Sequence, residues 1–168
     1  MANKLVEMIR RQAEKYVDRE VYRYCWRKAG EWLPTSWEEF RAQVDVAARA
    51  LARLGVKEKD TLAICSENTP QILISEFAGF RNRMACIPLY SSSSQGQYDF
   101  IVGNGAPRIL FVGDKDQYPL AYNYWKNHPG QIDRIIVYKN EGLDLPADDT
   151  VSISWDAVSY THLTLPTI

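Results

Sequence analysis

Hydrophobic positions recur every three or four residues from 3 to 17. Leu5, Met8, Ile9, Ala13 and Tyr16 fall on one stripe, and this spacing predicts an amphipathic helix. The period then drops to two. In "EVYRYCWRKAGEWLPTSW", Tyr22, Tyr24 and Trp26 alternate with Arg23, Cys25 and Arg27, as in a strand of a β-hairpin turned at Gly30. Pro34 suits an edge position or the end of the second strand. Ser36-Trp37-Glu38-Glu39 has the spacing of a capping box, in which a hydroxyl and a carboxylate satisfy each other's backbone N–H groups. Trp37, Phe40, Val44, Ala47, Leu51 and Leu54 then step along one helix face, and Gly55 closes it in the left-handed conformation.

Beyond Gly55 the pattern alternates between short apolar runs and longer amphipathic ones. "TLAIC" (61–65), "MACIPLY" (84–90), "RILFVG" (108–113) and "DRIIVY" (133–138) read as strands. Helices are predicted between them. One is capped by Thr69 with Pro70 in its first turn and Ile72, Leu73, Phe77 and Phe80 inward. One spans 94–103, with Tyr98, Ile101 and Val102 inward, and one spans 115–127. Continuously apolar strands alternating with helices predict an α/β fold: a mostly parallel sheet flanked by helices, preceded by the N-terminal helix and hairpin. "KNEGLDLPADDT" (139–150) reads as a surface loop.

Composition narrows the function classes. The 168 residues are 46% hydrophobic and 24% charged, as in a globular core with a charged surface. A net charge of -1 provides no electrostatic footprint for nucleic acid. No apolar run nears the length that spans a bilayer, and "MANKLVEMIRRQAEKY" lacks the apolar core of a secretory signal. The expectation is a cytoplasmic location, with peripheral attachment to a membrane left open. Cys25, Cys65 and Cys86 are too few and too dispersed for a disulfide framework or a zinc site, and Cys65 and Cys86 read as small buried hydrophobes.

Candidate chemistry is sparse. Gly103-Asn104-Gly105 precedes a strand instead of following one, so it reads as a helix-ending turn and not a dinucleotide fingerprint. Ser66-Glu67-Asn68-Thr69-Pro70 lies between strand and helix but has no glycine through which a phosphate could approach the backbone. The run Ser91-Ser92-Ser93-Ser94-Gln95-Gly96-Gln97 could hold an anion, yet no Lys or Arg follows it, and an N-capping loop is the simpler reading. His128 falls at a helix end, and Glu38 and Glu39 fall in a first helical turn, where their charges complement the helix dipole. No catalytic, cofactor-binding or metal-ligating residue is assigned.

The order of these segments resembles the start of AMP-forming acyl-CoA synthetases, members of the adenylate-forming superfamily. The resemblance runs over residues 5–156: a capped helix ending in "LGV", a strand, the "SEN" loop, a strand ending in "PLY", a serine-rich loop and "ILFVGD". The initial "VEMIRRQAEKYVDREVYRYCWRKAGEWLPTSWEEF" is most similar to the long-chain fatty-acid–CoA ligase branch. Arg83 departs from the pattern, since the family commonly has glycine there. The resemblance implies the partial N-terminal portion of the enzymes' large domain. It also implies a parent that joins a fatty acid to ATP as an acyl-adenylate and passes the acyl group to coenzyme A, with magnesium. The family's Thr-Ser-Gly-Thr-Thr-Gly-x-Pro-Lys-Gly phosphate loop, its Tyr-Gly-x-Thr-Glu segment, its ribose-binding Asp and its catalytic Lys have no counterpart here, so residues 1–156 are expected to be inactive alone. The rivals are a stand-alone α/β nucleotide-binding module and a non-catalytic interaction domain.

The terminal "VSYTHLTLPTI" (158–168) is set apart. The DNA string GTCTCTTATACACATCTGACGCTGCCGACG translates to Val158 through Thr167 and resembles the adapter of transposase-based sequencing libraries. Residues 157–168 are therefore expected to be a translated adapter, irregular and without function, His162 included.

Overall fold

A computed structural model describes residues 4–25 and 30–160, and Trp26 and the segment 161–168 lie outside them. Helix α1 (Lys4–Tyr16) leads into the antiparallel hairpin β1 (Glu20–Cys25) and β2 (Trp32–Ser36). Gly30 beside the turn has φ +66, a conformation glycine adopts at little cost. The α1 stripe is only half used: Ile9 and Ala13 are buried, whereas Leu5 and Met8 are exposed. A 13-residue helix packed on α2 and α3 along one narrow line cannot cover every apolar position of its stripe.

Helix α2 (Trp37–Arg53) begins at the predicted box. The Glu39 N–H donates to Ser36 Oγ at 3.2 Å, and the Ser36 N–H donates to Glu39 Oε2 at 2.8 Å. These bonds, backbone first, hold the Glu39 carboxyl below its ordinary range. Ser36→Ala is expected to cost about 1 kcal/mol. Glu39→Ala should cost less, and chemical denaturation of the two variants checks the order. The helix buries Phe40, Val44, Ala47 and Leu51 as its spacing predicts.

The main sheet has the order β4-β3-β5-β6-β7 and every neighbouring pair is parallel. Its strands are β3 (Thr61–Cys65), β4 (Ala85–Leu89), β5 (Ile109–Val112), β6 (Arg134–Val137) and β7 (Ser152–Ser154). Alternation sorts side chains to two cores. Leu62, Ile64, Ile109, Phe111 and Ile136 meet α1, α2, α3 (Pro70–Arg81) and α6 (Trp155–Tyr160) on one face. Ala63, Cys65, Leu110, Val112, Ile135 and Val137 meet α4 (Gln95–Gly105) and α5 (Tyr118–Asn127) on the other. The Ala85 N–H donates toward β3, to the Asp60 carbonyl at 3.0 Å, so along β4 Pro88 faces away from its partner strand. The proline therefore costs no ladder bond and removes a donor from the outer edge.

Helices α2 and α3 end in the same motif. Gly55 and Val56 donate back to Ala52 and Leu51, and Arg83 and Met84 donate back to Phe80 and Gly79. The residue after the cap is left-handed in both, with φ +85 at Gly55 and +58 at Arg83. Arg83, where glycine was expected, bears a Cβ in that conformation, a cost of about 1–2 kcal/mol. Its exposed ion pair with Glu58, at 2.9 Å, offsets about 0–1 kcal/mol of this. Arg83→Gly is expected to raise the unfolding midpoint, and an unchanged or lower midpoint would contradict this reading of the turn.

Three further expectations are corrected, and two elements appear beyond the 139–150 loop, which is a loop as expected. On α3 the buried positions are Ile74, Ser75, Ala78 and Gly79, while Leu73 is exposed and Ile72 and Phe77 are half-buried. Contact on both sides, with the sheet and with α2, shifts the inner stripe toward the small residues that allow close approach. Gly103 and Gly105 stay within α4, and Ala106 takes the left-handed cap at φ 42. The loop after β6 ends in β7 and α6, neither of which the spacing had signalled. Helix α6 continues through Tyr160 and buries Val158 in the first core, so the irregular tail expected from residue 158 does not begin there.

Candidate functional site

The chain leaves β3 through α3 to reach β4, then returns through α4 to β5 on the other side of β3. The two connecting helices lie on opposite faces, so a crevice opens outside the carboxyl ends of β3 and β5, where ligands of open parallel sheets characteristically bind. Here it has a volume of about 1190 Å³. Ile64, Ile72, Pro88 and Leu89 supply apolar walls, and Tyr24 of the hairpin closes one side. Tyr90, at the end of β4, is 85% exposed and stands at the rim with Ser91.

Gly113 ties the strand ends together. Its N–H donates to the Cys65 carbonyl at 3.0 Å, and its carbonyl accepts from the Lys139 N–H at 2.9 Å. A Cβ on Gly113 would lie 2.6 Å from Gln117 Oε1 and 2.7 Å from Ser66 Oγ. Only glycine leaves room for both polar side chains against this stretch of backbone. Ser66 and Gln117 are buried, and Ser66 donates its hydroxyl proton to the Glu67 carbonyl at 2.8 Å.

Four carboxylates line the crevice, Glu67, Glu76, Asp114 and Glu141, against two ammonium groups, Lys115 and Lys139. Burial raises the Glu76 carboxyl above its ordinary range. The crevice is acidic on balance, a poor seat for a triphosphate. Among the described residues no group of three or more His, Cys, Asp or Glu could hold a metal ion, so no magnesium site is assigned to them.

The residues singled out by sequence are scattered. Ser66 and Ser91 reach the crevice, as do Glu67 and Asn68. Ser94 is the N-cap of α4, with Gln97 completing a capping box, which makes the serine run a capping loop. Thr69 precedes α3 and Pro70 is its first residue, yet the Thr69 hydroxyl makes no cap bond. His128 caps α5 at its C-terminal end, its ring stacked on Tyr124 at 4.0 Å. Burial pushes the Cys65 thiol up to about 11 and the Cys86 thiol, also beside Glu76, to about 12, so neither is a ready nucleophile. Asp114, Lys115 and Lys139 carried no motif. Their one signal is position, since each stands just past an apolar strand run.

Among the described residues no helix is long and apolar enough to cross a membrane. The model of the AMP-binding enzyme family matches residues 9–160. The chain is 25% identical over 115 residues to the long-chain-fatty-acid–CoA ligase heimdall of Drosophila melanogaster, covering 66% of this chain and 17% of that protein. It is 27% identical over 88 residues to long chain acyl-CoA synthetase 4 of Arabidopsis thaliana, covering 52% and 13%. The chain thus spans about a sixth or less of the length of these relatives. A Rhodopseudomonas palustris protein assigned as a long-chain-fatty-acid CoA ligase superposes with a TM-score of 0.75 at 18% identity, over 92% of this chain and 35% of that one. Coronafacic acid ligase of Pectobacterium brasiliense superposes with a TM-score of 0.78 at 12% identity, over 95% and 29%. With a matched segment that takes in both cores and the whole parallel sheet, the chain belongs to the AMP-binding enzyme family.

Proposed function

We propose that the chain is the N-terminal portion of the large domain of an AMP-forming long-chain fatty-acid–CoA ligase that works in the cytoplasm. The parent enzyme activates a long-chain fatty acid with ATP to an acyl-adenylate, releasing pyrophosphate, and transfers the acyl group to coenzyme A. The observation that carries this reading is the family match over residues 9–160 together with likeness to curated long-chain ligases.

The chemistry itself falls outside these residues. Adenylation needs the carboxylate and the α-phosphate aligned, with donors and cations around the developing charge. The crevice offers more carboxylates than ammonium groups, and no phosphate loop follows any of the strands. The part played by this chain is to build the parallel sheet and pin the ends of β3, β5 and β6 through Gly113.

Pyrophosphate exchange into ATP tests the proposal. The 168-residue chain is expected to show no exchange dependent on fatty acid. The natural full-length protein should show it with long-chain acids and magnesium. Exchange by the short chain would place an active site within it, and no exchange by the full-length protein with short, medium or long acids would remove the ligase assignment.

A further inference from the structure

Residues 140–154 leave the body of the fold and return to it. The residues on either side are held by their rings, since Tyr138 and Trp155 meet edge-on at the first core with centroids 5.4 Å apart. Between these anchors no residue is buried, and Leu143 and Val151 only lean on the second core. Strand β7 belongs to this excursion, with Ser152, Ile153 and Ser154 all half-buried. Apolar burial therefore does little to keep β7 on the sheet edge.

A pair of adjacent aspartates holds it instead. Asp149 accepts on both carboxylate oxygens. Oδ1 takes the Val151 and Ser152 N–H groups, at 3.0 and 2.9 Å, and Oδ2 takes the Tyr118 hydroxyl of α5. Asp148 accepts from the Tyr122 hydroxyl at 2.5 Å and pairs with Lys126 at 2.8 Å, further along the same helix. Tyr118 and Tyr122 are four residues apart and stacked at 5.8 Å, so α5 presents both hydroxyls on one side. One carboxylate thus joins the start of β7 to α5, and the Ile135 N–H of β6 donates to the adjoining Val151 carbonyl at 3.2 Å. Glu141 lies in the excursion and lines the crevice, so a movement here displaces one carboxylate of that wall.

We infer that residues 140–154 form a strap that opens and closes as one unit while both cores stay folded, with Asp148 and Asp149 as its latch on α5 and β7 as the strand it lifts from β6. The strap is independent of the ligase assignment.

Native-state hydrogen exchange of the isotope-labelled 168-residue chain, followed by NMR at rising urea, tests it. The N–H groups of Ile135, Val151 and Ser152 are expected to share one opening free energy with little urea dependence. The Tyr138 N–H, just past the same strand β6, donates to Val112 of β5 at 2.9 Å and should open only with the whole fold. Tyr118→Phe keeps the ring and removes the latch hydroxyl. It should speed exchange at the three strap-dependent groups by about tenfold or more, the usual scale for a hydrogen bond to a charged group. Should that variant fold poorly, Tyr122→Phe, which frees Asp148 from its hydroxyl, decides in the same direction. Ser36→Ala, at the start of α2, should speed exchange at Tyr138 and leave the three strap-dependent groups unchanged. One opening free energy for all four groups, different ones among the first three, no acceleration in the tyrosine variant, or acceleration of the strap groups in Ser36→Ala overturns the inference.

Discussion

Phe111→Ala is expected to lower the stability of the folded chain by about 4 kcal/mol, within the range for truncating a buried aromatic. Phe111 lies in the middle of the sheet and is 1% exposed. Its ring stacks on Tyr138 with centroids 5.7 Å apart and meets Trp155 edge-on at 6.4 Å. Tyr138 is held in turn by its hydroxyl, which donates to Ser75 at 2.8 Å in the buried space beside α3. Removing the ring leaves a cavity between β5, β6 and α6 that backbone-paired neighbours cannot close. Because Trp155 opens α6, the loss should also loosen that helix. Urea unfolding of the variant checks the prediction, and a loss below about 1 kcal/mol would mean that this core is not packed as described.

Gly79→Ala is expected to cost about 2 kcal/mol, through overpacking in place of a cavity. The added methyl would sit 2.5 Å from Leu62 Cδ2 and 3.1 Å from Cys86 Sγ. Leu62, near the start of β3, is fully buried in the first core, where its displacement would disturb close-packed neighbours. Gly79 is thus the point where α3 lies directly on the sheet. Gly96→Ala is the matched control, because nothing lies within 4 Å of its added Cβ and α4 continues around it. That variant should be neutral or slightly stabilising. Equal effects at the two positions would contradict the close approach of α3 to β3.

Much of the fold was legible because the responsible interactions are local. The Ser36 and Gly55 ends of α2 are set by side chains within four residues, and both stand where their spacing places them. Strands β3, β5 and β6 are covered on both faces, so each is a continuous apolar run. What escaped depends on distant contacts. Strand β7 has three residues, too few for a period, and exists because β6 offers it a ladder. The inner face of α3 is set by two surfaces at once, which no single stripe encodes. The crevice is the extreme case. Ser66 and Gln117 are far apart in sequence and both lie against Gly113 because β3 and β5 are neighbours, so a search for local motifs reached Ser66 in its strand-to-helix loop but gave no signal for Gln117. The resemblance was a different kind of signal, an ordered set of weak segments, and it marked Arg83 as a departure from the usual glycine without giving the left-handed turn that the backbone takes there.

The central claim, that the parent protein is an AMP-forming ligase of long-chain fatty acids, is tested most directly by its products. The natural full-length protein, supplied with ATP, magnesium, coenzyme A and a long-chain fatty acid, should form acyl-CoA and AMP in equal amounts, followed together by mass spectrometry. Acyl-CoA accompanied by ADP, or AMP released with no acyl-CoA at any chain length, would contradict the account.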